Sequence, residues 1–273
     1  FSHTVFALPF ALIGFSLAIV YEQFSFEWHL LVKMLLCMVF ARTAAMAFNR
    51  YLDRHIDARN PRTAKREIPA GVINASNALW FVIANCVLFV ITCYFINMLV
   101  FWLSFIALFV ILFYSYTKRF TALCHLVLGL GLSLAPIGAY LSVTGAFAWL
   151  PLIFSFIVLT WVSGFDIIYA LQDEDFDRSN KLHSIPAALG LNYALKVSSL
   201  LHIISAALVL AAGFLASFNW LYWTGSGLFI GLLIYQHTLV KPNDLSKVNL
   251  AFMTTNGIGS IVFAVFTILS LFF

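Results

Sequence analysis

Apolar runs of about 18 or more residues follow one another along the whole chain, separated by short polar connections. A run of that length with few charges predicts a helix crossing a bilayer, because about 20 residues at roughly 1.5 Å each span the hydrocarbon core. The pattern predicts nine such helices, at approximately 3–20, 28–57, 77–96, 98–116, 121–143, 149–173, 193–216, 220–240 and 249–272. The expected fold class is therefore all-α: a polytopic membrane bundle of nine transmembrane helices, forming one domain over residues 1–273. His3, His125, His202 and Asn256 are expected to be packed, hydrogen-bonded structural residues.

Composition removes the main alternative. The chain is 63% hydrophobic and 10% charged, whereas a soluble globule carries roughly 25% charged residues. There is no polar coat and no room for a separate water-soluble domain. Cys37, Cys86, Cys93 and Cys124 lie in apolar segments without metal-ligand spacing and read as small buried hydrophobes.

Charge then orients the bundle. The connections at 50–75, 117–120, 174–192 and 241–248 hold twelve of the fifteen Lys and Arg residues, and those at 21–27, 97, 144–148 and 217–219 hold none. By the positive-inside rule the basic side is cytoplasmic, with the N-terminus on that side and the C-terminus outside. Trp28, Trp149, Trp220 and Trp223 fall near the predicted outer ends, where amphipathic rings prefer the interface. A multi-pass protein of a bacterial inner membrane is the expectation.

Two polar stretches do not fit a plain span. In NRYLDRHIDARNPRTAKREIPAG, residues 49–71, Asn49, Asp53 and Asp57 recur every fourth position and share one helical stripe, with Arg42 and Asn60 projecting onto it. In FDIIYALQDEDFDRSNKLHS, residues 165–184, Asp166, Tyr169, Asp173 and Asp177 form a second stripe at the matching end of another span. Residues 49–57 and 165–184 hold seven of the eleven acidic residues. Solvated helix ends, paired with Arg50, Arg54 and Arg59, would account for one such stripe but leave the matched pair unexplained.

Two acidic stripes at one membrane depth can face each other across a bundle. Gathered carboxylates invite hard cations, and Mg²⁺ binds through one or two of them plus substrate phosphates. Nearby donors suit a diphosphate: Arg62, Arg66, Lys118 and Arg119, with Arg178 and Lys181 on the second loop.

These motifs resemble the UbiA superfamily of intramembrane prenyltransferases. The family pattern NxxxDxxxD is matched by Asn49–Asp53–Asp57, DxxxD by Asp173–Asp177, and the Tyr–Lys segment by YSYTKR, Tyr114 to Arg119. The two motif regions, 49–66 and 166–181, read as a pseudo-repeat. SHTVFALPFALIG, ARTAAMAFNR, REIPAG and LHSIPAALG are similar to the 4-hydroxybenzoate polyprenyltransferase branch, and also to a related menaquinone branch whose acceptor is a dihydroxynaphthoic acid.

The resemblance implies Mg²⁺-dependent transfer of a polyprenyl group from its diphosphate to an aromatic acid in quinone biosynthesis. It also implies a central cavity open to the cytoplasmic side and laterally to lipid, where the isoprenoid tail leaves. Asp53, Asp57, Asp173 and Asp177 are the expected catalytic metal ligands, with Asn49 as a neutral fifth. Arg62, Arg66, Lys118, Arg119 and Lys181 are expected on the diphosphate. Phe24, Phe48, Tyr114 and Tyr169 are candidates to face the allylic cation. Arg42 lies two turns inside the span before Asn49, and a charge at that depth is a functional candidate by default. Arg42, Tyr114, Asp166 and Tyr169 are the expected acceptor-binding residues. An Arg42–Asp166 ion pair and a base role for Asp166 toward the ring proton are the alternatives there. No obligate protein partner and no nucleic acid are implied.

The competing class is a transporter, since intramembrane charges also mark ion pathways. It predicts acids near the bilayer centre without a basic loop beside them. Both stripes here sit near one face among Arg and Lys. Within the superfamily, a haem or chlorophyll synthase would keep the diphosphate site and change the acceptor pocket.

Overall fold

The structure is a computed structural model and describes residues 4–273, so His3 lies outside the described residues. Among the described residues it is entirely helical apart from one isolated bridge, Lys241 to Asp244. The helices are α1 (Thr4–Ser16), α2 (Trp28–Asp57), α3 (Ala75–Tyr94), α4 (Met98–Thr117), α5 (Cys124–Thr144), α6 (Trp149–Ala170), α7 (Glu174–Ser179), α8 (Ile185–Leu215), α9 (Trp220–Leu239) and α10 (Asn256–Phe272). Seven of these segments are long and apolar enough to cross a bilayer, and α1 and α9 complete nine spans among the described residues.

Capping residues fix where several spans begin. Asn74, Asn97, Ser184 and Asn219 each accept a backbone N–H from the first turn of the helix that follows. Asn97 and Asn219 also donate across the bundle, to the carbonyls of Leu141 and Ser270 at 2.8 and 3.2 Å, so each cap ties two helices together. Gly145, in the left-handed region, ends α5.

Helix α6 lies at the centre, against α1, α5, α8 and the turn before α10. Its Trp161 and Phe165 join Phe6, Phe10, Phe154, Phe229 and Phe263 in a buried aromatic core. Helices α1 and α5 meet closely. A Cβ on Gly14 would lie 2.0 Å from the carbonyl oxygen of Pro136, so only glycine permits that approach. Trp28, Trp149 and Trp220 are exposed at the ends of the spans opposite the acidic motifs, as expected for an interface belt. Phe24 is exposed in the connection at that same far end, which removes it from the candidates facing a reacting cation.

Three segments differ from the expected spans. The span expected over 149–173 leaves α-helical geometry at Ala170, tightens into a 3₁₀ turn over Leu171–Asp173, and restarts as α7. Asp173 and Asp177 therefore do not continue the α6 stripe. The start of α8 comes eight residues before the expected 193, because Ser184 caps the helix and Pro186 fits its first turn. Gly190 then interrupts it at φ 77°, which is where the expected loop becomes a kink. The spans expected at 3–20 and 249–272 contain π-helical stretches, Leu17–Tyr21 and Leu250–Thr255.

Candidate active site

The first acidic motif ends α2, and its residues keep the predicted spacing. The Asn49 amide donates to Asp53 Oδ2 at 3.2 Å and to Ser115 Oγ at 3.4 Å. Asp53 is 1% exposed. Lys118 Nζ lies 2.5 Å from its Oδ2 and Arg119 Nη2 donates to its Oδ1 at 3.0 Å. Arg119 also donates to the carbonyls of Leu52 and Ser115, so this base locks the end of α4 to the side of α2. Asp57, 4% exposed, accepts from Arg66 Nη1 at 2.9 and 2.8 Å through its two oxygens.

The second motif meets the first through the connection after α2. Arg62 forks onto Asp173, with Nε 3.0 Å from Oδ1 and Nη2 in a close pair with Oδ2. Asn60 Nδ2 adds a donor to Asp173 at 3.2 Å, and Arg62 Nη1 donates to the Tyr169 hydroxyl at 2.7 Å. The Tyr169 ring stacks on Phe252 with centroids 4.2 Å apart and lies under the Arg62 guanidinium. Burial pulls the Arg62 guanidinium down, but its bonds to Asp173 and Tyr169 outweigh that and hold it above the ordinary arginine value. Asp177 sits beside Ser184, within electrostatic reach of Asp173 and Lys118. The His183 N–H donates to the Lys118 carbonyl at 2.7 Å, which pins the second loop to the end of α4.

The two motifs thus lie at one end of the bundle, each paired with bases, and Asn60 and Arg62 of the connection after α2 reach the second. Among the described residues, no three His, Cys, Asp or Glu side chains gather closely enough to hold a metal ion between them. Each aspartate of the pairs above faces a base instead. Lys181 is the expected residue that the structure leaves aside: it is exposed, has φ 57°, and joins none of these pairs. Arg178 bonds Glu174 one turn away on α7.

Deeper on the same faces lie Arg42 on α2 and Asp166 on α6. The alternative of an Arg42–Asp166 ion pair is not what Asp166 forms: Asp166 Oδ2 lies 2.7 Å from His125 Nδ1, and His125 Nε2 accepts the N–H of Ile185 at 3.3 Å. Tyr114, on α4, stands within electrostatic reach of both Asp166 and Asp53. Asn60, Ser115 and His125 were not foreseen as site residues. Asn60 had a signal, three positions beyond Asp57 on the stripe; the other two are brought in by neighbouring helices.

Comparisons with known proteins identify the family. The profile of the UbiA prenyltransferase family matches residues 7–258. The 4-hydroxybenzoate octaprenyltransferase of Aliivibrio fischeri (strain MJ11) is 31% identical over 243 residues, 87% of this chain and 82% of that protein. The enzyme of the same name from Pasteurella multocida (strain Pm70) is 31% identical over 232 residues, 84% of this chain and 79% of that protein. Among solved structures, the apo UbiA homologue from Aeropyrum pernix K1 superposes with a TM-score of 0.88 at 30% identity, covering 98% of this chain and 97% of that one. A UbiA homologue from Archaeoglobus fulgidus, bound to DMAPP and Mg²⁺, has the same fold at a TM-score of 0.76 and 23% identity, covering 98% and 94%. A nine-span bundle with both aspartate motifs at one end, matched over nearly its whole length, belongs to the UbiA prenyltransferase family of membrane enzymes.

Proposed function

We propose that this prenyltransferase moves a polyprenyl group from its diphosphate to an aromatic acid of the 4-hydroxybenzoate type, with Mg²⁺, for quinone synthesis. One observation carries the reading: Arg62, Arg66, Lys118 and Arg119 pair with aspartates of both motifs at one end of the bundle. A diphosphate with its metal is the ligand that satisfies both signs at once. A cation-transport site needs the carboxylates and has no use for four bases bound to them.

The residues fit Mg²⁺ in kind. Asp53, Asp57, Asp173, Asp177 and Asn49 offer hard oxygen donors, and Mg²⁺ takes one or two carboxylates with the rest of its shell from phosphates and water. That no three acids gather among the described residues suits a site completed by the substrate. When bound there, Mg²⁺ supplies Lewis-acid neutralisation of the leaving diphosphate.

The chain's own residues account for the remaining roles. Guanidinium forks that now hold carboxylates present the same paired donors to phosphate oxygens. Arg62 and Arg66 thus serve as internal counter-ions that exchange one anion for another. Lys118 adds a compact charge where the allylic C–O bond breaks. The 4-hydroxybenzoate octaprenyltransferases named above support an aromatic acid as acceptor, and Arg42, one of the buried-span bases, is the residue for its carboxylate. The cytoplasmic face is assigned to the acid–base end, on the distribution of Lys and Arg.

The test is turnover by purified protein in lipid, with labelled geranyl diphosphate, Mg²⁺ and each candidate acid. Prenylated 4-hydroxybenzoate is expected, and chelation of Mg²⁺ should abolish it while leaving the protein folded by circular dichroism. Product from dihydroxynaphthoic acid in its place would move the acceptor to the menaquinone branch. Cation flux in vesicles without any prenylated product would overturn the reading.

A further inference from the structure

We propose that Asp166 is the base that takes the hydroxyl proton of the aromatic acceptor, and that His125 is the residue that positions it. The inference rests on the aromatic-acceptor reading above.

The carboxylates of this enzyme are not equivalent. Asp53, Asp57 and Asp173 each bond an arginine or lysine through their carboxylate oxygens, so those oxygens are already engaged. The hydrogen-bond partner of Asp166 is a histidine, His125, which is itself 2% exposed. The Ile185 N–H points at Nε2, so Nδ1 carries the ring N–H directed at Asp166 Oδ2. Asp166 is therefore oriented by an imidazole N–H through one oxygen. Among the described residues, Oδ1 carries no hydrogen bond and is left for a ligand.

Position supports the assignment. From Thr160 to Ile168 every residue of α6 is buried except Asp166, whose side chain keeps 22% of its surface exposed. That opening lies one helical turn before Tyr169, and Asp173 follows beyond the end of α6, so Asp166 lies deeper along the span than the second motif. Arg42 stands seven residues before Asn49 on α2, at a matching depth. A para-hydroxy acid has an anion at one end and an acidic hydroxyl at the other. A base and a cation at one depth beneath the diphosphate cluster suit both ends. Tyr114 is the other titratable group facing Asp166 there.

The step balances. The acceptor O–H bond breaks and its proton goes to Asp166 Oδ1, leaving the electron pair on the phenolate oxygen, which conjugates with the ring. The ring carbon beside that oxygen bonds the allylic carbon as the C–O bond breaks with its pair to the diphosphate. Rearomatisation releases the ring C–H proton to water or diphosphate, and Asp166 returns its proton to the oxygen. One proton is released overall.

The test compares wild type with Asp166→Asn and His125→Ala on a series of 4-hydroxybenzoates made progressively more acidic at the hydroxyl by ring fluorination. Asp166→Asn should lower kcat by roughly 10²- to 10⁴-fold on the parent acid, the usual range for a general base, with the donor KM within about twofold. The deficit should shrink across the series as the hydroxyl ionises unaided. His125→Ala should show the same trend at smaller amplitude, and His125→Gln, which can donate and accept at once, should recover most of the rate. The His125 pair carries the test should Asp166→Asn fail to fold. A deficit that stays constant across the series, or none at all, overturns the base role. Wild type inactive on every aromatic acid would instead overturn the acceptor reading.

Discussion

The two aspartate motifs of this enzyme look alike in sequence and are built differently. Asp53 and Asp57 sit on one unbroken helix of 30 residues, almost wholly buried, with Lys118, Arg119 and Arg66 bonded to them. Asp173 and Asp177 straddle a 3₁₀ turn and a six-residue helix, and the Asp173 side chain is 17% exposed. A buried carboxylate without a partner is costly, so the first motif must keep a positive partner, base or metal, in every state of the protein. The second is close enough to water to change partners at little cost. The first motif is therefore a fixed wall, and the second, clamped by Arg62, is the side that yields when a ligand arrives.

Substitutions can break that contrast in order of size. Asp53→Ala should be the most severe, because it strands Lys118 and Arg119 against the end of α2. A loss of kcat/KM on the order of a thousandfold, about 4 kcal/mol, is expected from initial rates. Arg66→Ala and Arg62→Ala form the decisive pair. The first leaves Asp57 buried without its base and should lower stability by roughly 2–4 kcal/mol in thermal melts. The second should cost only about 1–2 kcal/mol of stability, yet raise the donor KM by about tenfold or more. Equal melting losses in the two variants would erase the distinction between wall and clamp.

Phe252→Leu removes the ring beneath Tyr169 and tests how firmly the clamp is supported. About 1 kcal/mol is at stake, read as a several-fold rise in donor KM with kcat little changed. Lys181→Ala should change neither rate nor stability by more than about 0.5 kcal/mol, since the side chain is exposed and outside the cluster. A large effect there would show that the second loop closes further over substrate than it does here.

The same contrast explains what the sequence could reveal. Helix α2 carries a long apolar pattern without glycine or proline, and its predicted limits, 28 and 57, are those observed. The first motif was legible because periodicity within one helix is a local property. Residues 174–192 read as a polar connection, yet they hold α7 and the capped, kinked start of α8, whose shape depends on Gly190 and on contacts elsewhere. The partners of the aspartates were legible by charge and nearness in sequence, as with Arg62 and Arg66. His125 was not, because it lies on another helix, and only the packing of α5 on α6 brings it to Asp166.

The contact between Gly14 and Pro136 has a consequence for how the molecule is made. From Thr4 to Tyr21 the described first span is at the lower limit of membrane-crossing length. Its closest backbone neighbour is synthesised more than a hundred residues later. Helix α1 therefore cannot reach its final seat until α5 has followed it into the bilayer, and chain order and assembly order are not the same.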